Sequence, residues 1–459
     1  MTDSVGGGRG PASLLRRVVD VRPNELAATW ASFVFFFFVL SSYFILRPVR
    51  DLVAVTTSPT RLPWLFGGTL VTMLVANRLF SSLVVRLPVR RFVPLTYHFF
   101  AANLLVFFAV MRVTGDAIGT VPWLGIVFYI WTSVYNLFIT SVFWSFMADV
   151  FRSEQAKRLF GFIGVGGTLG SITGSTLCVI LARRIGVTNL LLVSIVLLEL
   201  AAIVVFRFPA APRSTGNARQ SAGEEPDDRR IGGSVWAGFT AVLRSPYLAG
   251  IAGFQVLYTI GSTLLYFEQA GIIRQAFASP EARTVVLAQI EQAVQILTVV
   301  MQIFLTGRII RWFGLAVTLA LLPATTALGF TALGMAPVLA TLVVFIVLRR
   351  GTNFGITNPA MEVLFTVVPR EDKYKAKSFI ETFIYRAGDQ IGAWTYAGFA
   401  ALGLGISGAA YAAVPFAVVW LVLGLWLGRR QAQLAAAEAR DSRGNDPRTP
   451  ADGALVATR

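Results

Sequence analysis

Apolar runs of about 20 residues, separated by short breaks rich in charge, Pro or Gly, recur along the whole chain, and one such run crosses a bilayer as a helix. Twelve are predicted, at 25–46, 62–84, 92–111, 121–147, 159–182, 189–206, 246–267, 285–306, 313–333, 336–359, 378–402 and 405–428. The tenth and eleventh carry more charge than the others, so hydropathy alone marks them less sharply. A long polar stretch, RFPAAPRSTGNARQSAGEEPDDRRIGGS, follows the sixth run, and its Pro, Gly, Ser and charge cannot form a packed core. The pattern predicts an all-α polytopic membrane protein with twelve transmembrane helices in two six-helix halves. Its expected units are a cytoplasmic segment 1–24, a first half 25–206, a cytoplasmic linker 207–235, a second half 236–428 and a cytoplasmic tail 429–459 that starts as a short helix.

Composition agrees with this reading. Of 459 residues, 55% are hydrophobic and 14% charged, whereas an ordinary soluble domain is about one quarter charged. The formal charge of +16 would point to nucleic acid in a soluble protein. Here the basic residues follow the loops: with the N-terminus inside, 28 of the 40 Lys and Arg fall in cytoplasmic segments and 8 in the opposite loops. That is the bias expected of a membrane protein with both ends in the cytoplasm, and no nucleic acid is needed to explain the charge. The polar first 24 residues precede an apolar run too long for a signal peptide, so the first span is expected to be retained. Cys178 has no second cysteine to pair with and His98 is the one histidine, which leaves neither a disulfide framework nor a zinc site to propose.

The two halves echo each other. Val121-Pro122 opens the fourth run as Ala336-Pro337 opens the tenth, and Ala156-Lys157 precedes Gly166 and Gly170 as Ala376-Lys377 precedes Gly388 and Gly392. Because the echoes run in the same direction, the halves are expected to be parallel repeats related by an axis along the membrane normal, the major-facilitator arrangement. Gly307-Arg308-Ile-Ile-Arg311-Trp-Phe-Gly314, between the eighth and ninth runs, resembles the basic, glycine-bounded loop of that superfamily.

Ionisable residues inside spans are costly and face a cavity or a partner, which makes them the functional candidates; interhelical bridging is the plainer role for each. Arg47 and Arg50 lie three residues apart and share a helical face if the helix continues past Pro48. Two neighbouring guanidiniums suit an anion, since each binds phosphate or carboxylate in bidentate fashion. Arg349 and Arg350 lie roughly 20 Å along the tenth span, too deep for snorkelling. In the eleventh, Arg386 is expected to face a central cavity, with Glu381 or Asp389 turned to a neighbouring helix, because Glu381 and Arg386 are too far apart in helical angle to share a stripe. Glu199 and Glu291 are candidate partners or proton carriers, with bridging favoured, and Arg78 joins them. The glycine-rich fifth span lacks the Lys-Ser/Thr of a phosphate loop; Gly166, Gly170 and Gly174 instead have the small-xxx-small spacing of close helix packing. No catalytic constellation is present, so an enzyme is not expected and transport must be driven by a gradient or by exchange.

Several segments together resemble the nucleotide (ATP/ADP) translocases of plastids and obligate intracellular bacteria, twelve-span exchangers with a facilitator-like fold. Ile45-Leu46-Arg47-Pro48-Val49-Arg50-Asp51 resembles that family's I-L-R-D-x-K-D, and Glu154-Gln155-Ala156-Lys157-Arg158-Leu159-Phe160 its E-A-K-R-F-Y. The stretch from Arg349-Arg350 to Asn358-Pro359-Ala360-Met361-Glu362 resembles S-K-x-A-K-Y-S-L-F-D-P-x-K-E, and Lys373-Tyr374-Lys375-Ala376-Lys377 resembles K-x-K-G-K. There are departures: Asn136 stands in place of a glutamate, and Met361, Asn353 and Asp389 in place of lysines. The loss of those cations suits a less charged anion or a nucleotide held differently.

The resemblance implies a secondary transporter exchanging a nucleotide or related phosphorylated anion by alternating access. Its expected substrate-binding residues are Arg47, Arg50, Asn136, Arg350, Lys377 and Arg386, and its expected gating or coupling residues Asp51, Glu199, Glu291, Glu381 and Asp389. A monomer in a bacterial inner membrane, in contact with lipid and without cofactor or metal, is the expected setting. Two other readings stay open: a proton-coupled facilitator of another solute, and a non-transporting membrane scaffold.

Overall fold

The computed structural model describes residue 22 and residues 25–58, 60–86, 89–115, 122–151, 153–209, 235–369, 372, 376–377 and 379–444. The first half is made of α1 (Leu26–Thr56), α2 (Leu62–Arg86), α3 (Val89–Val113), α4 (Pro122–Val150), α5 (Ser153–Ile185) and α6 (Leu190–Phe206). A short helix absent from the sequence expectation, α7 (Val235–Arg244), leads into α8 (Pro246–Ala276), α9 (Pro280–Phe304), α10 (Thr306–Met335), α11 (Leu339–Thr352) and α12 (Asn358–Leu364). The chain closes with α13 (Tyr385–Ala401) and α14 (Ile406–Gly444). Most of the 207–235 linker lies outside the described residues, as does nearly all of 1–24. The start of the tail, by contrast, is continuous with the last span, because α14 carries on past Arg429.

Among the described residues nine helices are long and apolar enough to cross a membrane, and two shorter apolar helices, Leu62–Ala76 and Leu190–Phe206, match the second and sixth runs. The eleventh run is a π-helical turn, Ile380–Ile384, continued by α13. Large apolar side chains such as Val71, Leu105, Val196, Leu328 and Val419 are exposed, as lipid-facing positions must be, while the aromatic and aliphatic core lies between the helices. The chain is an integral membrane protein.

Local sequence sets several boundaries. Ser245 and Ser279 each accept from a backbone N–H of the next turn (Leu248 and Ala282), with Pro246 and Pro280 at the first helical position, where no donor is lost. The helix that begins at Thr306 is interrupted at Gly314, whose φ of 73° is a left-handed conformation available to glycine at little cost. The basic loop of the sequence reading is therefore a helical turn followed by a sharp break.

Close approach of backbones holds each half together. A Cβ at Gly166, Gly170 or Gly174 would collide with the carbonyl oxygens of Phe33, Phe37 and Ser41, so α5 lies directly against α1, and the Ser41 hydroxyl donates to the Gly170 carbonyl at 3.0 Å. The second half repeats the device: Gly388 and Gly392 of α13 meet Thr259 and Ile260 of α8. The fifth-span glycines are thus packing residues. Buried polar groups add ties between helices: Ser42, Tyr135 and Ser194 join α1, α4 and α6 through hydrogen bonds of 2.7 Å. Within the halves, α1 packs on α5 and α6, α8 on α13 and α14, and α10 on α14. Between them, α5 meets α9, α2 meets α13, and α1 touches both α8 and α9. The Gln292 amide donates to Thr176 at 2.7 Å across the first of these seams, and Trp64 meets Trp394 edge-on at 5.4 Å across the second.

Candidate substrate-binding cavity

A cavity of about 450 Å³ lies between the two halves, within the range of small-molecule sites. Its walls come from one face each of several helices. From α1 come Arg47, Arg50 and Asp51; from α4, Tyr129, Ser133 and Asn136; from α8, Tyr258, Ser262, Tyr266 and Gln269. The spacings of three and four residues are those of a single helical face. Helix α1 does continue past Pro48 to Thr56, which puts Arg47 and Arg50 side by side.

The second half contributes Glu291 of α9, Arg349 and Arg350 of α11, and Glu381, Tyr385, Arg386, Asp389 and Gln390 of the eleventh span. The joint presence of Glu381 and Arg386 corrects the angular expectation. Five residues of α-helix set two side chains about 140° apart. The π turn at Ile380–Ile384 inserts an extra residue and brings them back to one side. A matching π turn, Asn353–Thr357, follows the two arginines in the tenth span, where the Asn353 amide donates to the Tyr258 hydroxyl at 3.0 Å.

Glu291 is the centre of the charge arrangement. Its carboxylate, 4% exposed, takes both terminal nitrogens of Arg350, one at 2.9 Å, and lies 3.2 Å from Nη1 of Arg47. Arg350 belongs to the second half and Arg47 to the first, so one buried carboxylate ties the halves together. Arg47 also keeps a buried Nε–H without a hydrogen-bond partner, a donor left over beside the cavity. Arg50 bonds Asp51 at 3.2 Å and lies over the Tyr129 ring at 4.7 Å, and Asp51 accepts from the Tyr266 hydroxyl at 2.9 Å. Arg386 pairs with Asp389 at 3.4 Å, and Thr263 donates to the same carboxylate.

Arg349 has no carboxylate partner. It is 2% exposed and donates to Thr326 at 3.1 Å, to Ser262 at 3.0 Å and to the carbonyl of Tyr258 at 3.1 Å. Neutral acceptors therefore satisfy its donors and leave its charge uncompensated, a field felt by whatever enters the cavity.

Two of the expected residues stand apart. Lys377 grips both oxygens of Glu362 at 2.7 Å, with Glu381 at 3.6 Å. Partial burial works against its charge, but Glu362 and Glu381 hold the ammonium above the usual lysine range. Glu199 of α6, 37% exposed, is bonded to His98 of α3. Neither residue lines the cavity. The side chain of Arg78 lies outside the described residues. The reading of the sequence missed the four tyrosines, Tyr129, Tyr258, Tyr266 and Tyr385, and the amide Gln269, and it gave Gln390 no role. The helical spacing of Tyr258, Ser262, Tyr266 and Gln269 in an otherwise apolar span was the signal available. No group of three or more metal-ligating side chains occurs among the described residues.

Comparisons place this geometry among known proteins. The chain is 23% identical to ADP,ATP carrier protein 1 of Chlamydia muridarum, over 89% of its own length and 88% of that protein's. It is 24% identical to ADP,ATP carrier protein 1 of Chlamydia trachomatis over 66% and 64%. In fold it is similar to a bacterial homologue of the human lysosomal transporter Spinster, solved inward-facing and unoccupied, with a TM-score of 0.59 at 12% identity over 90% of this chain and 99% of that one. It is also similar to the nucleoside transporter NupG, with a TM-score of 0.56 at 13% identity over 88% and 98%. These likenesses fix the fold as major-facilitator-like. A family model described as TLC ATP/ADP transporter matches residues 65–432, most of the chain, and the protein belongs to that family.

Proposed function

We propose that this protein exchanges a nucleotide, ATP against ADP or a close phosphorylated relative, by alternating access around the central cavity. The observation that carries the reading is the Glu291 carboxylate held between Arg47 and Arg350. It is a resident anion at the place where a phosphate would bridge the two halves. An entering phosphate chain takes over those two guanidiniums and the spare Nε–H of Arg47, and displaces Glu291. Arg50 and Arg386 serve the same chain once their neighbouring carboxylates, Asp51 and Asp389, yield. The tyrosine rings offer stacking surfaces for a base, and Asn136 a hydrogen bond to base or ribose. The exchange of one anion for another on Arg47 and Arg350 follows if that pair is never left bare: either Glu291 or the substrate must be present.

All of these side chains come from one chain, which supports a monomeric transport unit surrounded by lipid. The charge bias of the loops supports cytoplasmic N- and C-termini, and a bacterial inner membrane is the setting that suits them. Labelled ATP taken up by proteoliposomes preloaded with ADP, against empty vesicles and against Arg50→Ala, tests the proposal. The expected result is uptake that needs both internal nucleotide and Arg50. Absence of counterflow by folded protein would overturn it and direct the search to smaller anions.

A further inference from the structure

Glu268, in the C-terminal third of α8, does not line the cavity. It is 1% exposed, and neither carboxylate oxygen has a hydrogen-bond partner. Its helical neighbours Leu264, Leu265, Phe267 and Ile272 are buried and apolar. An ionised carboxylate without a partner in such surroundings is far more costly than a protonated one, whose single O–H is all that goes unsatisfied.

Its position on α8 links it to a fastening. Two residues of the same stretch tie α8 to α1 through three hydrogen bonds: Tyr266 donates to Asp51 at 2.9 Å, and Arg274 donates to the carbonyls of Val55, at 2.6 Å, and of Thr57. Those carbonyls belong to the last turn of α1 and the residue that caps it, where a helix presents its partial negative charge. Arg283 in turn donates to the carbonyls of Phe277, at 2.8 Å, and Arg274, at 3.3 Å, bracing this latch.

The other titratable groups leave Glu268 to itself. Tyr396 of α13 is its neighbour, set beside Phe267 at 5.0 Å between ring centres. On α14 the span up to Gly428 offers Tyr411 and no charge. Arg349 and Arg350 of α11 and Asp51 of α1 are occupied in the cavity, Arg274 is spent on α1, and Arg244 of α7 lies at the opposite end of α8.

We propose that Glu268 is a proton-binding site that governs this end of the transporter: protonated while Arg274 and Tyr266 hold α8 against α1, and ionised when the latch opens and water reaches it. No bond other than O–H changes; the carboxyl releases its proton to water on opening and takes one back on closing. Because the closed form holds one more proton than the open form, falling pH favours closure and rising pH favours opening, by up to about tenfold in the open-to-closed ratio per pH unit.

The test uses the full-length protein in lipid nanodiscs with spin labels on Ser58→Cys and Ala278→Cys, two exposed positions flanking the latch; the native Cys178 is buried. The long inter-label distance is expected to grow in population as pH rises, and in Glu268→Gln to be scarce and unresponsive to pH. Glu268→Asp, which keeps a titrating group, is expected to restore the response with a displaced midpoint, and it serves as well if the Gln variant does not fold. Infrared difference spectra supply the second arm: a protonated-carboxyl band at neutral pH that Glu268→Gln lacks. A pH response that persists in Glu268→Gln, no response in the parent, or an unchanged band would each overturn the proposal. Neither arm employs a transported substrate, so the outcome is independent of the nucleotide reading.

Discussion

The first half sends its charges into the cavity from five consecutive residues at the end of α1, Arg47 to Asp51, whereas the second half gathers Glu291, Arg349, Arg350, Arg386 and Asp389 from three separate spans. The first arrangement is local, and any helix that survives Pro48 would produce it. The second depends on two π turns and on helix contacts, because no one segment carries a complete set of partners. The halves are alike in scaffold, each with glycines pressed against a partner helix, and unlike in chemistry. The lesson is that a repeated fold can keep its packing while its charge pattern diverges.

The scaffold can be tested first, because there the largest effects are expected. Gly170→Leu drives a side chain into the Phe37 backbone, which cannot move aside, so loss of nearly all monodisperse protein on size-exclusion chromatography is expected, equivalent to well over ~3 kcal/mol. At Gly388 the first obstacle is the Thr259 side chain. Gly388→Ala should therefore reduce yield less, and Thr259→Ala in the same chain should restore part of it. Equal damage without rescue would erase this difference between the halves.

The next largest effect concerns the two arginines on Glu291. Arg350 makes two charge-assisted bonds and Arg47 one ion pair, so Arg350→Ala is expected to lower exchange about 100-fold and Arg47→Ala about tenfold, at ~1.5–3 kcal/mol per charged hydrogen bond. Initial rates of ATP/ADP counterflow, with folding checked in parallel, give the ratio, and a reversed order would show that the first half dominates binding. Glu291→Gln removes the resident anion. It is expected to tighten the apparent affinity for substrate by about tenfold and to slow turnover, because the vacated guanidiniums then hold the substrate too well. A fall in affinity would mean that Glu291 organises the arginines instead of competing for them.

Smallest of all should be Glu199→Gln. With its half-exposed partner His98, this pair lies far from the cavity, and exposed ion pairs contribute about 0–1 kcal/mol. Less than a twofold change in exchange is expected, and a larger one would make the outer face of the first half part of the machinery.

Much of the site was legible where chemistry and sequence proximity coincide. Arg47, Arg50 and Asp51 could be read from one motif, and Arg350, Arg386, Glu291 and Asp389 stood out because a charge inside an apolar span is conspicuous. Glu199 was conspicuous for the same reason and Lys377 for its place in a motif, but neither lines the cavity, and their imidazole and carboxylate partners could not be seen in the chain. Tyr129, Tyr258, Tyr266 and Tyr385 escaped notice because an aromatic residue in a membrane helix has the same appearance whether it faces lipid, core or cavity. Glu268 was hidden by its place in a span end that the apolar run cut short at 267.

The sequence by itself determined the helical class, the places of the apolar spans and the packing glycines, since all of these rest on apolar run length and small-residue spacing. Tertiary structure alone decided which arginine holds which carboxylate, that Arg349 is satisfied by neutral groups, that Glu381 and Arg386 share a face, and that Glu268 is left without a partner. The reason is physical: burial of apolar surface is additive and can be read along the chain, whereas the energy of a buried charge depends on the few ångströms to its partner on another helix, a distance that only the packed molecule sets.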